Sequence, residues 1–148
     1  METHPEGIAQ KFSSPEEELV YLRKQIADRE QNLANRGAEV KREEVVSDKL
    51  KDYSYVPVGQ VLHPDFQESK SSIKELALNL APEEHDGRMS ELLKIVKEKG
   101  VKNALSVVEE MNDSHVEDDF HRFLVQYLKK GYEIYGLNSN RNFSGSYL

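Results

Sequence analysis

Large apolar residues recur along this chain at spacings of three and four, the period at which a helix shows one face to a neighbour. Leu19, Leu22, Ile26 and Leu33 open the series. At about 100° per residue they fall within a stripe roughly 60° wide, as narrow as a coiled-coil seam. Arg29 stands where such a seam takes an apolar residue. Only about two heptads are present, fewer than the three or four that define a coiled coil. Two outcomes stay open: pairing with a partner or a second copy, or folding back onto the chain's own core. The start of this helix is well marked. Ser14 suits the N-cap, Pro15 the first helical position and Glu17 the reciprocal place in a capping box. Glu16, Glu17 and Glu18 complement the positive end of the helix dipole.

Gly37 fits the residue just past a helix end. The period restarts at Ala38 and runs to about Tyr53, with Val40, Val46, Leu50 and Tyr53 on one face. Residues 14–53 therefore form a helical hairpin, or one long helix that tolerates the glycine at a cost of about 1 kcal/mol. Their density of charge predicts an exposed arm.

Residues 54–68 contain Pro57, Gly59 and Pro64, which exclude a long helix. They read as a linker with a helical turn around Val58–Leu62. Residues 69–131 are denser in apolar positions and predict a small four-helix bundle. Its faces are Ile73, Leu76, Ala77 and Leu80; His85, Met89, Leu92, Leu93 and Val96; Ala104, Leu105, Val108 and Met111; and Val116, Phe120, Phe123, Leu124 and Tyr127. Ser71 or Ser72 would cap the first of these helices, and Pro82 would open the second. Gly100 would close the second, Ser114 with Glu117 would box the start of the fourth, and Gly131 would follow its end. Residues 1–13 and 132–148 read as a flexible arm and tail. The fold class expected is thus all-α: a charged arm or hairpin, a linker and a compact bundle.

Composition narrows the function more than the fold. The 148 residues carry 20 Lys and Arg against 27 Asp and Glu, a formal net charge of −7. That balance speaks against a nucleic-acid partner, whose phosphates call for clustered cations. No apolar run is long enough to cross a bilayer, so no direct membrane insertion is expected, and no secretory leader opens the chain. A cytoplasmic location follows as the expectation. With no cysteine there is no disulfide, thiolate zinc site or Cys nucleophile. Walker and Rossmann glycine patterns are absent too. No cofactor is expected.

The segment His115-Val116-Glu117-Asp118-Asp119-Phe120-His121 is dense in metal-ligand types. His115 and His121 are six apart, about 120° around a helix, so they do not share a face. Glu117 or Asp118 with His121 makes at best a two-residue half-site. Helix capping and dipole complementation account for the acids, and His85 reads as a hydrogen-bonded core histidine. Neighbouring carboxylates such as Glu109-Glu110 or Asp118-Asp119 diverge by about 100° and cannot flank one bond. No catalytic or metal-binding residue is assigned on this basis. The acidic run Glu109, Glu110, Asp113, Glu117, Asp118 and Asp119 offers a docking edge for a basic partner.

The stretches SSPEEELVYLRKQIADREQNL, LLKIVKEKGVKNALSVVEEMND and SHVEDDFHRFLVQYLKKGY resemble the N-terminal region of a family of large proteins from uncultivated bacteria. Those proteins are similar in their later parts to conjugation or type IV secretion ATPases. The resemblance spans most of residues 13–132 and contains no catalytic residue. It implies an N-terminal helical module or a truncated copy, since the chain stops before any nucleotide-binding domain. The leading expectation is a non-enzymatic interaction or assembly module. Its partner-binding residues would be Leu19, Leu22, Ile26 and Leu33 on the stripe, within residues 14–36, and Glu109, Glu110, Asp118 and Asp119 on the acidic edge. The alternative is a small metal-dependent helical enzyme using His85, His115 and His121.

Overall fold

A computed structural model describes residues 11–137 of the chain, with side chains described through Lys129. Seven α-helices follow one another among these residues: α1 (Pro15–Asn35), α2 (Arg42–Ser54), α3 (Val58–Val61), α4 (Lys70–Leu80), α5 (His85–Lys99), α6 (Val101–Met111) and α7 (Ser114–Leu137). A single 3-10 turn, Pro64–Phe66, precedes α4. The expected all-α class holds for the described residues. The arm ahead of residue 11 and the tail beyond 137 lie outside them.

The helix ends show why the sequence breaks where it does. Ser14 Oγ accepts from the Glu17 backbone N–H at 3.2 Å, and Pro15 occupies the first turn. The returning half of the box is displaced by one residue, because Glu17 Oε1 accepts from the N–H of Ser13 rather than Ser14. At the other end of α1 the Gly37 N–H bonds Ala34 O and the Ala38 N–H bonds Leu33 O, both at 3.0 Å. This is a Schellman motif, and the φ of +75° at Gly37 is what it requires. The hairpin alternative is therefore the observed one, with α2 starting at Arg42 rather than Ala38. Val40 is left outside it and exposed.

Three other boundaries move by a few residues. Ser69, not Ser71 or Ser72, caps α4 by accepting from the Ser72 N–H. Pro82 lies in a turn, and α5 begins at His85. Asp113 displaces Ser114 as the cap of α7, its Oδ1 accepting from the N–H groups of His115 and Val116. A carboxylate is a stronger acceptor than a hydroxyl. The α7 backbone continues helical through Gly131 to Leu137, past the expected end at Lys130.

The larger correction concerns the arm. α1 packs against α2 and α5, and α2 lies along α7. Leu22 and Ile26 are each 2 % exposed, and Leu19 and Leu33 pack partly buried against the same core. The stripe packs toward the chain's own core, the second of the two outcomes its spacing left open. Val45, Val46 and Leu50 of α2 are buried in the cluster that holds Phe120, Leu124 and Leu128 of α7. One hydrophobic cluster takes in residues from the arm, the linker and the bundle alike. Residues 54–68 contribute to it as well: Val61 and Leu62 are fully buried. Phe12 pairs with this segment, its N–H bonding Val61 O and its carbonyl accepting from the His63 N–H, both at 2.7 Å.

At the centre stands a buried polar knot. Glu18 is completely inaccessible. Its carboxyl accepts from the backbone N–H groups of Val101 and Lys102, each at 2.7 Å, and from the Tyr53 hydroxyl at 2.5 Å. The first turn of α6 is thus capped by a side chain 83 positions upstream. Lys102 donates to the carbonyls of Tyr53 and Ser54. Burial pushes the Glu18 carboxyl up to about 7, against the pull of its hydrogen bonds and the Lys102 charge. Burial likewise draws the Lys102 ammonium down to about 8. Tyr53 is raised, by burial first and then by the Glu18 charge.

Candidate functional site

Two features at the surface combine residues that local packing does not explain. The first is a cluster at the junction of α5 and α7. α5 starts with His85, whose side chain is 41 % exposed and so is not the core histidine the sequence suggested. α7 carries His115 and Asp119 one helical turn apart, on the same face. Packing of α5 on α7 brings the three together. His85 Nε2 lies 2.9 Å and His115 Nε2 3.5 Å from the same Asp119 Oδ2. The two imidazole rings are 5.4 Å apart, tilted by 38°. Arg122 holds the other oxygen, Oδ1, of Asp119. The carboxylate therefore serves as a hub with each oxygen engaged.

His121, named with His85 and His115 in the enzyme alternative, sits elsewhere. Its Nε2 is 2.8 Å from the Ser47 hydroxyl of α2, and the three histidines do not converge. Burial lowers its pKa, helped by the Lys51 charge and opposed by Asp118. The sequence places Asp119 on the acidic edge and in helix dipole complementation, and does not show it as the partner of the two histidines. Its signal was the i, i+4 spacing to His115; His85 could be joined to them only by tertiary packing.

The second feature is a groove of about 320 Å³ between α4, α5 and α6. Ala77, Leu78 and Met111 give it apolar walls, and Lys74, Arg88, Glu110 and Asp113 give it a charged rim of both signs. Leu78 is 73 % exposed, a large apolar side chain left in water. Arg88 is fixed there by donating to the carbonyls of Leu80 and Ala81 at the end of α4. The acidic edge meets this groove only in part. Glu109, Glu110 and Asp118 are exposed, Asp113 is committed to capping, and Asp119 is engaged with the histidines.

No described helix is long and apolar enough to cross a membrane. Comparison of the chain with family models, curated proteins and solved structures finds no match in any of the three.

Proposed function

We propose that the protein is a non-enzymatic helical interaction module whose docking surface is the α4–α5–α6 groove. The observation that carries this reading is Leu78, exposed on the lip of a groove with apolar walls and a charged rim. A lone exposed leucine is ordinary; one beside a concave apolar surface provides a place for an anchor residue. Glu110 and Asp113 on the rim favour a cation next to that anchor, and both belong to the acidic edge expected from sequence. The fitting occupant is a short peptide segment with one large apolar side chain flanked by Lys or Arg. A place at the N-terminal end of a secretion- or conjugation-type ATPase system rests on the sequence likeness alone.

Selection of displayed peptides on the intact protein tests the proposal. Enriched peptides should share an apolar anchor next to a basic residue. Their binding should weaken roughly tenfold or more on Leu78→Asp and on Glu110→Lys, a loss of about 1.4 kcal/mol each. Both residues are exposed, so melting should not change. Peptides that bind both variants as well as the parent would remove the groove from consideration.

A further inference from the structure

We infer that His85, His115 and Asp119 form a binding site for a divalent transition-metal ion, with Zn²⁺ the best match. The three donor atoms, one imidazole nitrogen from each histidine and one carboxylate oxygen, lie within 4.8 Å of one another. Around a tetrahedral zinc with bonds of about 2.0–2.1 Å, neighbouring ligand atoms stand roughly 3.3–3.5 Å apart. The observed separations of 2.9 and 3.5 Å from Asp119 Oδ2 lie close to that spacing, and all three donors fall within 4.8 Å, so an ion would enter with an adjustment of the side chains. Two imidazoles and one carboxylate suit zinc and its neighbours, whereas calcium and magnesium take oxygen ligands.

The support around the donors matches a metal site in one respect and opposes it in another. Arg122 grips Asp119 Oδ1 and leaves Oδ2 aimed at the histidines, which orients the carboxylate for single-oxygen ligation. Its positive charge works against a cation, an opposition that solvent weakens because the side chain is 72 % exposed. Without an ion the same residues form an ion-pair cluster, and that is the competing account of their proximity. Three protein ligands leave a coordination position open, and His115, 76 % exposed, places it at the solvent edge. Water or a donor from another molecule would complete the shell. An ion here would tie the first residue of α5 to the first two turns of α7.

Calorimetric titration of the full chain with Zn²⁺ tests the site, with Co²⁺ absorption as a second readout. Saturable binding of one equivalent, a higher melting temperature with Zn²⁺, and cobalt bands that report nitrogen ligation are the expected results. His115→Ala and Asp119→Asn should each weaken binding at least roughly tenfold, by analogy with the sensitivity of metal sites to loss of a supporting group. His63→Ala, remote from the cluster and itself exposed, should change nothing. Because His115 is exposed, its replacement leaves the fold intact and the comparison valid. Absence of saturable binding, or cobalt bands that persist unchanged in His115→Ala, overturns the inference and leaves the ion-pair account standing.

Discussion

Glu18 enters the sequence as one of three successive glutamates and ends as the most deeply buried acid of the described residues. Its raised pKa has a definite sign for stability. An unfolded glutamate titrates near 4.5 and the folded one near 7, so between those values the folded state binds more protons. Stability should fall as pH rises through that window, by about 3 kcal/mol in all. Glu18→Gln should flatten the slope, as seen in urea melts at several pH values; an unchanged slope would falsify the assignment. Glu18→Ala should be severe, because two backbone N–H groups and the Tyr53 hydroxyl lose their partner at about 1–3 kcal/mol each. Gly100 guards the same spot. Its φ of +93° and ψ of 167° suit glycine alone, and an added Cβ would collide with Glu18 Oε1 and press on Phe66. Gly100→Ala should therefore cost more than about 2 kcal/mol in a denaturant titration, well beyond the backbone-strain range alone at its lower end. The signal for Glu18 lay in plain view: it stands four before Leu22, which stands four before Ile26. An acid in register with an apolar stripe has to find partners inside, though nothing local names them.

Elements were legible to different depths. Apolar periodicity located the major helices, because a buried face needs that spacing wherever its partner is. The ends were less secure, since neighbouring serines and acids compete for one cap and backbone geometry decides among them. α7 is the clearest instance: Asp113 wins over Ser114. Asp113→Ala should therefore lower stability by about 1 kcal/mol, and Ser114→Ala by much less. Equal effects on thermal melting would return the cap to Ser114. Dense charge on α1 and α2 suggested an exposed arm, yet a helix needs only a narrow stripe to dock. Leu22, Ile26, Val45, Val46 and Leu50 supply it here. Apart from Glu18 and Arg23, which are buried, charge on α1 stays toward solvent, and the i, i+4 pair Lys24–Asp28 is mostly exposed.

Across the whole molecule, what the sequence could not disclose is which stripe meets which. That choice depends on contacts between distant positions, as in α2 against α7 and Glu18 against Val101. The segment 69–131, read in isolation as a compact bundle, lacks Glu18 to cap α6 and α2 to cover α7. We predict that a fragment spanning residues 69–137 has no cooperative thermal transition, and that adding a fragment of residues 11–54 restores one. A sharp, fully reversible melt of the shorter piece alone would reinstate two independent parts. The candidate site follows the same logic. His115 and Asp119 share a face by spacing, but His85 reaches them only after α5 has settled on α7.

The close fit between Gly100 and the acid at position 18 also has an evolutionary consequence. Any descendant lineage that keeps this packing inherits positions 18, 53 and 100 as a linked set. A side chain at 100 demands a shorter acid at 18, and losing the tyrosine at 53 removes one of that acid's three donors. Drift at these three sites should therefore be slow and paired, while the outward surfaces of α1 and α2 diversify freely.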